Sequence, residues 1–259
     1  MKKSFYSKIG FVGLIIMVTL TFSCKKEVAG PQGPTGPTGP SLTGNVSGYV
    51  WLYDQYGTRI FSDLNKINVT LNNTIICHAD STGKYNFNSV TTGIYNITAT
   101  DSLYGTEMAQ QFQFVGGGNV DKDFKLSQIP TFTLSACTAV DTTVNTISYI
   151  KVKGTLTADT RARMVAVFVS ASSSVSSAPA NYILVYSKQV LANATNFNIL
   201  IPSTDLNAAG IASASTAYFA VYPAAINFST SSSYEDFNTG RTFFNSIGTS
   251  PINFNAIVP

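Results

Sequence analysis

Residues 46–53 read VSGYVWLY, and this stretch decides the fold class. Its aromatic residues Tyr49, Trp51 and Tyr53 alternate with two aliphatic residues, so the two sets face opposite sides of an extended strand. Runs with the same period of two recur along the chain, separated by clusters of Gly, Asn, Asp and Ser. Such runs are typical of half-buried β-strands. Between residues 44 and 126 no segment keeps the 3.6-residue apolar period of a helix.

The first part of the chain therefore predicts about seven short strands, which suits a sandwich of two sheets. The residues Asp80-Ser81-Thr82-Gly83 predict a turn between two of them, because Gly readily adopts a positive φ. The predicted strands lie near residues 46–53, 67–71, 75–79, 84–88, 94–100, 108–115 and 120–126.

A second run of strands follows Ile129-Pro130, which we interpret as a hinge. Val165–Val169 and Tyr218–Tyr222 are apolar at every position, as expected of central strands that are covered on both faces. The serine-rich segments Ser170–Ser177 and Ser229–Ser233 predict mobile connections. Alternating or apolar runs predict further strands near residues 132–136, 150–156, 181–188, 196–201 and 251–257. The pattern is similar to fibronectin type III or immunoglobulin-like sandwiches, and the fold class predicted is all-β, with two consecutive β-sandwich domains.

The charge distribution separates the amino terminus from the rest of the chain. The 259 residues are 44% hydrophobic and 11% charged, with sixteen basic and thirteen acidic residues and a formal net charge of +3. Lys2, Lys3 and Lys8 account for the whole excess, because without them thirteen basic residues face thirteen acidic ones. The remaining basic residues are scattered singly, so no stripe that could follow a phosphate backbone is present. We therefore predict no nucleic-acid partner.

The first 23 residues predict an export signal. An uncharged, mostly apolar run of fourteen residues, Ile9 to Phe22, follows the basic segment and is shorter than the roughly 20 residues of a membrane span. The segment that ends in Ser23-Cys24 resembles the lipobox of bacterial lipoproteins. This resemblance implies cleavage between Ser23 and Cys24, a lipid on the Cys24 thiol, and attachment to the outer membrane. An ordinary secretory signal and an uncleaved anchor are the alternatives.

Residues 24–43 predict a lipid anchor and a tether. Residues 30–41 form four Gly-Pro-X triplets, the repeat of collagen. Twelve extended residues would place the next domain roughly 37 Å from the membrane. Four triplets provide little cooperative length, so a stiff spacer is the preferred interpretation and a trimerisation segment is the alternative.

Residues 44–126 contain a series of short motifs that resemble those of the carboxypeptidase regulatory-like domain. These are Gly48-x-Val50-x-Leu52-Tyr53-Asp54, Val69-Thr70-Leu71, Asp80-Ser81-x-Gly83-x-Tyr85-x-Phe87 and Val90-x-x-Gly93-x-Tyr95. The resemblance implies a transthyretin-like, seven-stranded sandwich that is related to carbohydrate-binding-like folds and is non-catalytic. Residues 129–259 are predicted to form the second sandwich.

The candidate site residues are few. Tyr49, Trp51 and Tyr53 could stack on sugar rings, since they present flat apolar area with polar edges; the alternative is that they only cover the sheet or contact the second domain. His78 is the only histidine, and neighbouring Cys77 would point to the opposite face of a strand, so no metal site is predicted. The sequence contains no catalytic motif of the common hydrolases, metalloproteases or nucleotide-binding enzymes.

These observations predict a non-catalytic lipoprotein of the cell envelope without a cofactor. Its expected function is binding, adhesion or a structural role at the surface, with a glycan or a surface protein as partner. The alternative function is a carbohydrate-binding accessory protein of a polysaccharide-uptake system. An enzyme with an unrecognised site is the third hypothesis.

Overall fold

The structure is a computed structural model, and it describes residues 41–259, which form one compact unit. The predicted signal peptide, the lipidation site Cys24 and the Gly-Pro triplets before Ser41 lie outside the described residues. Within the described range no helix is long and apolar enough to cross a membrane. The fold is all-β, as the alternating pattern predicts, and its sheets pack as β-sandwiches.

The first sandwich consists of the strands between residues 43 and 127. Their bounds are β1 Thr43–Tyr53, β2 Arg59–Ile60, β3 Asn68–Leu71, β4 Ile75–His78, β5 Lys84–Thr91, β6 Gly93–Thr100, β7 Glu107–Phe114, β8 Asn119–Asp121 and β9 Phe124–Ser127. One sheet is built around β1, which pairs antiparallel with β2 and β5 and parallel with β8 and β9. The opposing sheet has the order β4-β3-β6-β7.

The core of the first sandwich follows from the period-two pattern. Val46, Val50 and Leu52 of β1 are buried, and they pack with residues such as Val69 and Ile97 of the opposing sheet in one apolar cluster. Each fully buried aliphatic side chain of this kind contributes about 1.5–3 kcal/mol. The intervening residues of β1 face outward, which places the row of aromatic residues on the outer surface of the sheet.

The second sandwich consists of the strands between residues 134 and 257. Their bounds are β10 Leu134–Val144, β11 Ile147–Leu156, β12 Arg163–Ser170, β13 Leu184–Val190, β14 Asn196–Pro202, β15 Thr216–Ala224, β16 Ser233–Asp236, β17 Arg241–Phe244 and β18 Ile252–Ile257, and the short helix α1 spans Ser203–Ala208. A sheet of order β10-β11-β14 faces a sheet of order β13-β12-β15-β18, and β16 pairs with β17. The domain limits 44–126 and 129–259 stay predictions.

The strands β12 and β15 are apolar on both faces because each face has its own cover. Val165 and Val167 belong to the core between the two sheets. Ala166 and Phe168 belong to a second cluster, which residues from the 225–247 segment complete, among them Phe228 and Phe244. The prediction of buried central strands is therefore confirmed, and the segment that covers them was not predicted.

The predicted strand 120–126 is wrong as one continuous element. The chain leaves the ladder at Lys122, whose N–H donates to the carbonyl oxygen of Ser47 at 2.8 Å. The hydroxyl of Tyr85 donates to the carbonyl oxygen of Lys122. Only Gly fits at position 48, since a Cβ there would overlap that same carbonyl group. This irregularity separates β8 from β9 while both remain paired with β1.

The segment Ser229–Ser233 was predicted to be a mobile connection, yet Ser231 and Ser232 are buried, and Ser232 joins the two sandwiches. Ser232 is fully buried; its hydroxyl donates to the carbonyl oxygen of Gly105 and accepts from the N–H of Ser127, both at 2.8 Å. Its own N–H donates to the carbonyl oxygen of Lys125 at 2.7 Å. We call these contacts of Ser232 with the first sandwich the serine junction.

Candidate functional site

The aromatic row of β1 lies on the outer face of the five-stranded sheet. Tyr49 is 38% exposed, while Trp51 and Tyr53 are half-buried. The rings of Tyr49 and Trp51 stack, with centroids 5.5 Å apart and planes 26° apart. The predicted orientation of the three side chains is therefore the one observed, and their proposed contact with sugar stays a prediction.

The ring of Trp51 is in contact with neighbouring side chains on the same surface. The guanidinium carbon of Arg59 lies 3.8 Å from the centroid of the indole and 4.6 Å from the ring centroid of Phe61. In the β1–β2 ladder Arg59 pairs with Tyr53, so it approaches Trp51 from the side opposite Tyr49. The indole of Trp51 therefore supports its neighbours in the aromatic row, and Tyr49 has the more exposed ring.

A cleft of about 350 Å³ opens beside Tyr49. It is lined by residues from three neighbouring strands and the β8–β9 irregularity: Ser47, Gly48, Tyr49, Lys84, Asp121 and Asp123. The hydroxyl of Ser47 donates to Oδ1 of Asp121, and the N–H of Tyr49 donates to Oδ1 of Asp123 at 2.7 Å. Among residues 41–259 no hydrogen bond reaches Oδ2 of either aspartate, so both oxygens are available to a ligand. We call this cavity the Tyr49 cleft.

The local sequence explains how Lys84 reaches the Tyr49 cleft. Asp80 closes the turn before β5: its Oδ1 accepts hydrogen bonds from the side chain of Thr82 and from the N–H groups of Thr82 and Lys84. These bonds, that of the Thr82 hydroxyl first, lower the pKa of Asp80. Gly83 has a φ of 84°, as the predicted turn requires. Lys84 then pairs directly opposite Tyr49 in the ladder.

Asp121 and Asp123 reach the cleft through the irregularity at Lys122. Asp121 pairs with Ser47 in the parallel ladder of β1 and β8. The chain then departs from the ladder, and the carboxylate of Asp123, rather than a backbone carbonyl group, accepts the N–H of Tyr49. Sequence reasoning missed both aspartates and Lys84. Their spacing of two residues places the aspartates on one face of a strand, but nothing in the pattern indicates the parallel pairing with β1.

The arrangement combines the groups that bind a sugar. The exposed face of an aromatic ring receives the C–H groups of a pyranose, carboxylate oxygens accept hydrogen bonds from hydroxyl groups, and an ammonium group donates to ring or hydroxyl oxygens. All three kinds of group line one cavity. The cleft has more negative than positive groups, which disfavours an anionic ligand.

The other candidate residues do not form a site. His78 and the half-buried Cys77 follow one another on β4, and His78 is exposed. Within the described part of the chain no three metal-ligating side chains of His, Cys, Asp or Glu come together. Cys77 and Cys137 are both free thiols, and burial raises the pKa of Cys137 to about 11.

The fold is similar to several solved all-β structures at low identity. A DUF3823 family protein from Bacteroides uniformis is 13% identical, with a TM-score of 0.29, over 85% of this chain and 100% of the other. A proposed carbohydrate-binding protein from the same species is 16% identical, with a TM-score of 0.28, over 82% of this chain and 100% of the other. A DUF3823 family protein from Parabacteroides merdae is 14% identical, with a TM-score of 0.25, over 71% and 92% of the two chains.

No protein-family model and no curated protein matches the chain. The resemblance of residues 44–126 to the carboxypeptidase regulatory-like domain therefore stays a prediction. These distant similarities do not indicate a ligand. The geometry of the Tyr49 cleft is the observation that bears on function.

Proposed function

We propose that this protein is a non-catalytic lipoprotein of the cell envelope that binds a neutral glycan in the Tyr49 cleft. The observation that supports binding is the joint lining of one cavity by an exposed tyrosine ring, two aspartates and a lysine. The export signal and the Ser23-Cys24 site support attachment to the outer membrane through lipid. The predicted spacer of residues 30–41 would hold the bound glycan roughly 37 Å from the membrane, which suits adhesion or the supply of an uptake system.

In the proposed complex a pyranose ring lies against Tyr49. Two of its hydroxyl groups donate to Oδ2 of Asp121 and Oδ2 of Asp123, and Lys84 donates to an oxygen of the sugar. Hydrogen bonds to charged groups contribute about 1.5–3 kcal/mol each when they exclude water. Neutral sugars supply the required hydrogen-bond donors without bringing a further negative charge close to the two carboxylates.

The proposal separates the roles of Tyr49 and Trp51. Tyr49 contacts the ligand directly, whereas Trp51 supports Tyr49 through the 5.5 Å stack. Tyr53, at the end of the row beside Arg59, lies outside the lining of the cleft and serves the surface of the sheet. We therefore expect the effect on glycan affinity to decrease in the order Tyr49, Trp51, Tyr53.

A glycan array with the full chain in detergent micelles tests the proposal. The variant Tyr49→Ala is expected to weaken binding of the best neutral glycan about fivefold to tenfold, since stacking on an aromatic ring contributes about 1–1.5 kcal/mol. The matched control is Phe237→Ala, which removes an aromatic side chain that is 57% exposed in the second sandwich. Absence of any neutral-glycan binding, or equal affinity of the Tyr49→Ala variant and the parent, would overturn glycan binding in the cleft.

The lipid anchor has its own test. Metabolic labelling of cells with palmitate is expected to mark the parent chain and not the Cys24→Ala variant. Cys77→Ala serves as the control, because it removes a free thiol of the first sandwich and leaves the predicted lipobox intact. Labelling that persists in Cys24→Ala would contradict the lipoprotein assignment and leave the glycan proposal untouched.

A further inference from the structure

The second sandwich has a cavity of its own on the outer face of the sheet β10-β11-β14. Its volume is about 490 Å³. The floor is formed at Cys137, Gly154 and Phe197, which pair across the three strands in a single row. The polar side chains that surround it are Thr138, Lys151, Lys153, Thr155, Asn196 and Asn198. We call it the basic cavity.

A register shift and a glycine lie at the basic cavity. The register of β10 against β11 shifts between Leu134 and Ala136, beside Thr155. Such bulges bend the strand that carries them. Gly154 has no side chain, and the ring of Phe197 fills the space below it, since a Cβ at Gly154 would overlap that ring.

The charges around the basic cavity are of one sign. No carboxylate lines it, and none lines the smaller cavity of about 200 Å³ on the other side of β14, to which Lys188 contributes. The two cavities share Asn196, Phe197 and Asn198. Three of the seven lysines between residues 41 and 259 thus border a single strand.

These lysines have no ionic partner in the described part of the chain. The salt bridges between residues 41 and 259 involve Lys66 and Arg161, and none involves Lys151, Lys153 or Lys188. Asp141 of β10 pairs with the inward-facing Ile150, so it belongs to the opposite face of the strand. Positive charge is therefore concentrated and left uncompensated at this surface, which attracts anions.

We propose that the basic cavity is a second binding site, which holds an acidic polysaccharide through its carboxylate or sulfate groups. Lys151 and Lys153 lie two residues apart on one face of β11, so their Cα atoms are separated by about 6.6 Å. Charged groups that repeat along a polymer can contact both ammonium groups and continue across β14 toward Lys188. The amides of Asn196 and Asn198 and the neighbouring hydroxyl groups bind the sugar hydroxyls between the charges.

The shape and lining of the cavity favour a polysaccharide over an anionic membrane surface. A bilayer presents a flat array of headgroups and requires exposed apolar side chains or a flat basic surface for binding. The basic cavity is concave, and amides and hydroxyl groups lie beside its lysines. The exposed side chains of Val140 and Leu200 flank Lys151 in the ladder but lie outside the lining of the cavity. The basic cavity prefers an anionic ligand and the Tyr49 cleft a neutral one, and the two sites share no lining residue.

The test uses polygalacturonate and its fully methyl-esterified form as the neutral matched polymer, with the full chain in detergent micelles. The parent is expected to bind polygalacturonate at least tenfold more tightly than the ester. The double variant Lys151→Gln/Lys153→Gln is expected to lose about tenfold in affinity, and Lys151→Arg/Lys153→Arg to retain it, since charge is the property that matters. Lys66→Gln, a change to a distant exposed lysine, should leave the affinity within about twofold of the parent.

Several outcomes would overturn the proposal. They are equal binding of both polymers, unchanged affinity of the double Gln variant, or binding confined to phosphatidylglycerol vesicles. A urea unfolding curve of the double variant separates a loss of binding from a loss of folding. Lys153 is exposed, Lys151 is half-buried, and neither ammonium group forms an ion pair within residues 41–259, so we expect the curve to be unchanged. Binding of a neutral glycan to the Tyr49 cleft should persist in the double variant, so the failure of one proposal is distinguishable from the failure of the other.

Discussion

The Tyr49 cleft and the basic cavity belong to different sandwiches and have opposite chemistry. Each lies on the outer face of a sheet, beside a break in the ladder: Lys122 in the first sandwich and the shift before Ala136 in the second. The Tyr49 cleft combines an aromatic ring with two carboxylates, whereas the basic cavity combines lysines with amides and hydroxyl groups. Under the two proposals, the outward residues beside each irregularity determine which ligand suits the site.

The largest expected difference between the two sites is in the loss of stability when the glycine beneath each of them is replaced by alanine. A methyl group at Gly48 would overlap the backbone of Lys122, whereas one at Gly154 would overlap side chains, those of Phe197 and Cys137. We expect Gly48→Ala to lower the free energy of unfolding by about 3 kcal/mol and Gly154→Ala by about 1 kcal/mol. Urea unfolding of the two variants measures the difference. Equal losses would show that the backbone crossing at Lys122 is no more rigid than the packing at Phe197.

The next effect concerns the connection between the sandwiches. Glu107 lies beside the serine junction and accepts a hydrogen bond from the N–H of Lys125. Burial raises its pKa to about 7, against the lowering effect of the hydrogen bond from the backbone N–H of Lys125 and of the charges of Lys122 and Lys125. The folded state thus holds a proton that the unfolded chain releases near pH 4.5. The contribution of Glu107 to stability is greatest below about pH 4.5 and declines as the pH rises toward 7.

The variant Glu107→Gln isolates this contribution. Relative to the parent, its free energy of unfolding is expected to increase by about 2–3 kcal/mol between pH 4.5 and pH 8, because the amide cannot ionise. Urea unfolding at several pH values provides the measurement, and the difference between the two proteins cancels the titration of the other carboxyl groups. Parallel pH profiles would mean that the Glu107 carboxyl group is as well solvated in the folded protein as in the unfolded chain.

The smallest expected effect tests whether charge alone distinguishes the two sites. In the Lys151→Gln/Lys153→Gln background, adding Asp121→Asn/Asp123→Asn leaves Lys84 as the charged group of the Tyr49 cleft. Polygalacturonate affinity is expected to rise about threefold and neutral-glycan affinity to fall, since amide oxygens are weaker acceptors than carboxylates. Asp141→Asn/Glu235→Gln removes two charges elsewhere and should change neither affinity. Calorimetric titration with both ligands decides the outcome, and unchanged affinities in the aspartate variant would assign no selectivity to the two carboxylates.

The sequence predicts the faces of strands better than their partners. Period-two alternation places Tyr49, Trp51 and Tyr53 outward, and the turn at residues 80–83 follows from Asp and Gly. The parallel pairing of β8 and β9 with β1 depends on contacts across more than 70 residues, for which local pattern has no signal. The same limit explains why Asp121 and Asp123 were missed.

Two side chains show how tertiary context overrides composition. Ser232 lies in a serine-rich segment that predicts mobility, yet its hydroxyl and N–H satisfy three backbone groups of the first sandwich. Arg59 would be an unremarkable surface charge by sequence, but β2 places its guanidinium 3.8 Å from the Trp51 ring. Both roles depend on neighbours that come from distant parts of the chain, and a single sequence read locally does not contain them.

The central position of β1 has a mechanical consequence. β1 is the first strand after residue 41, and it hydrogen-bonds to β5 on one side and to β8 and β9 on the other. A force applied along the axis of this strand would shear its ladder bonds together instead of opening them one after another. Such a load would meet the resistance of the ladders on both sides of β1 at the same time.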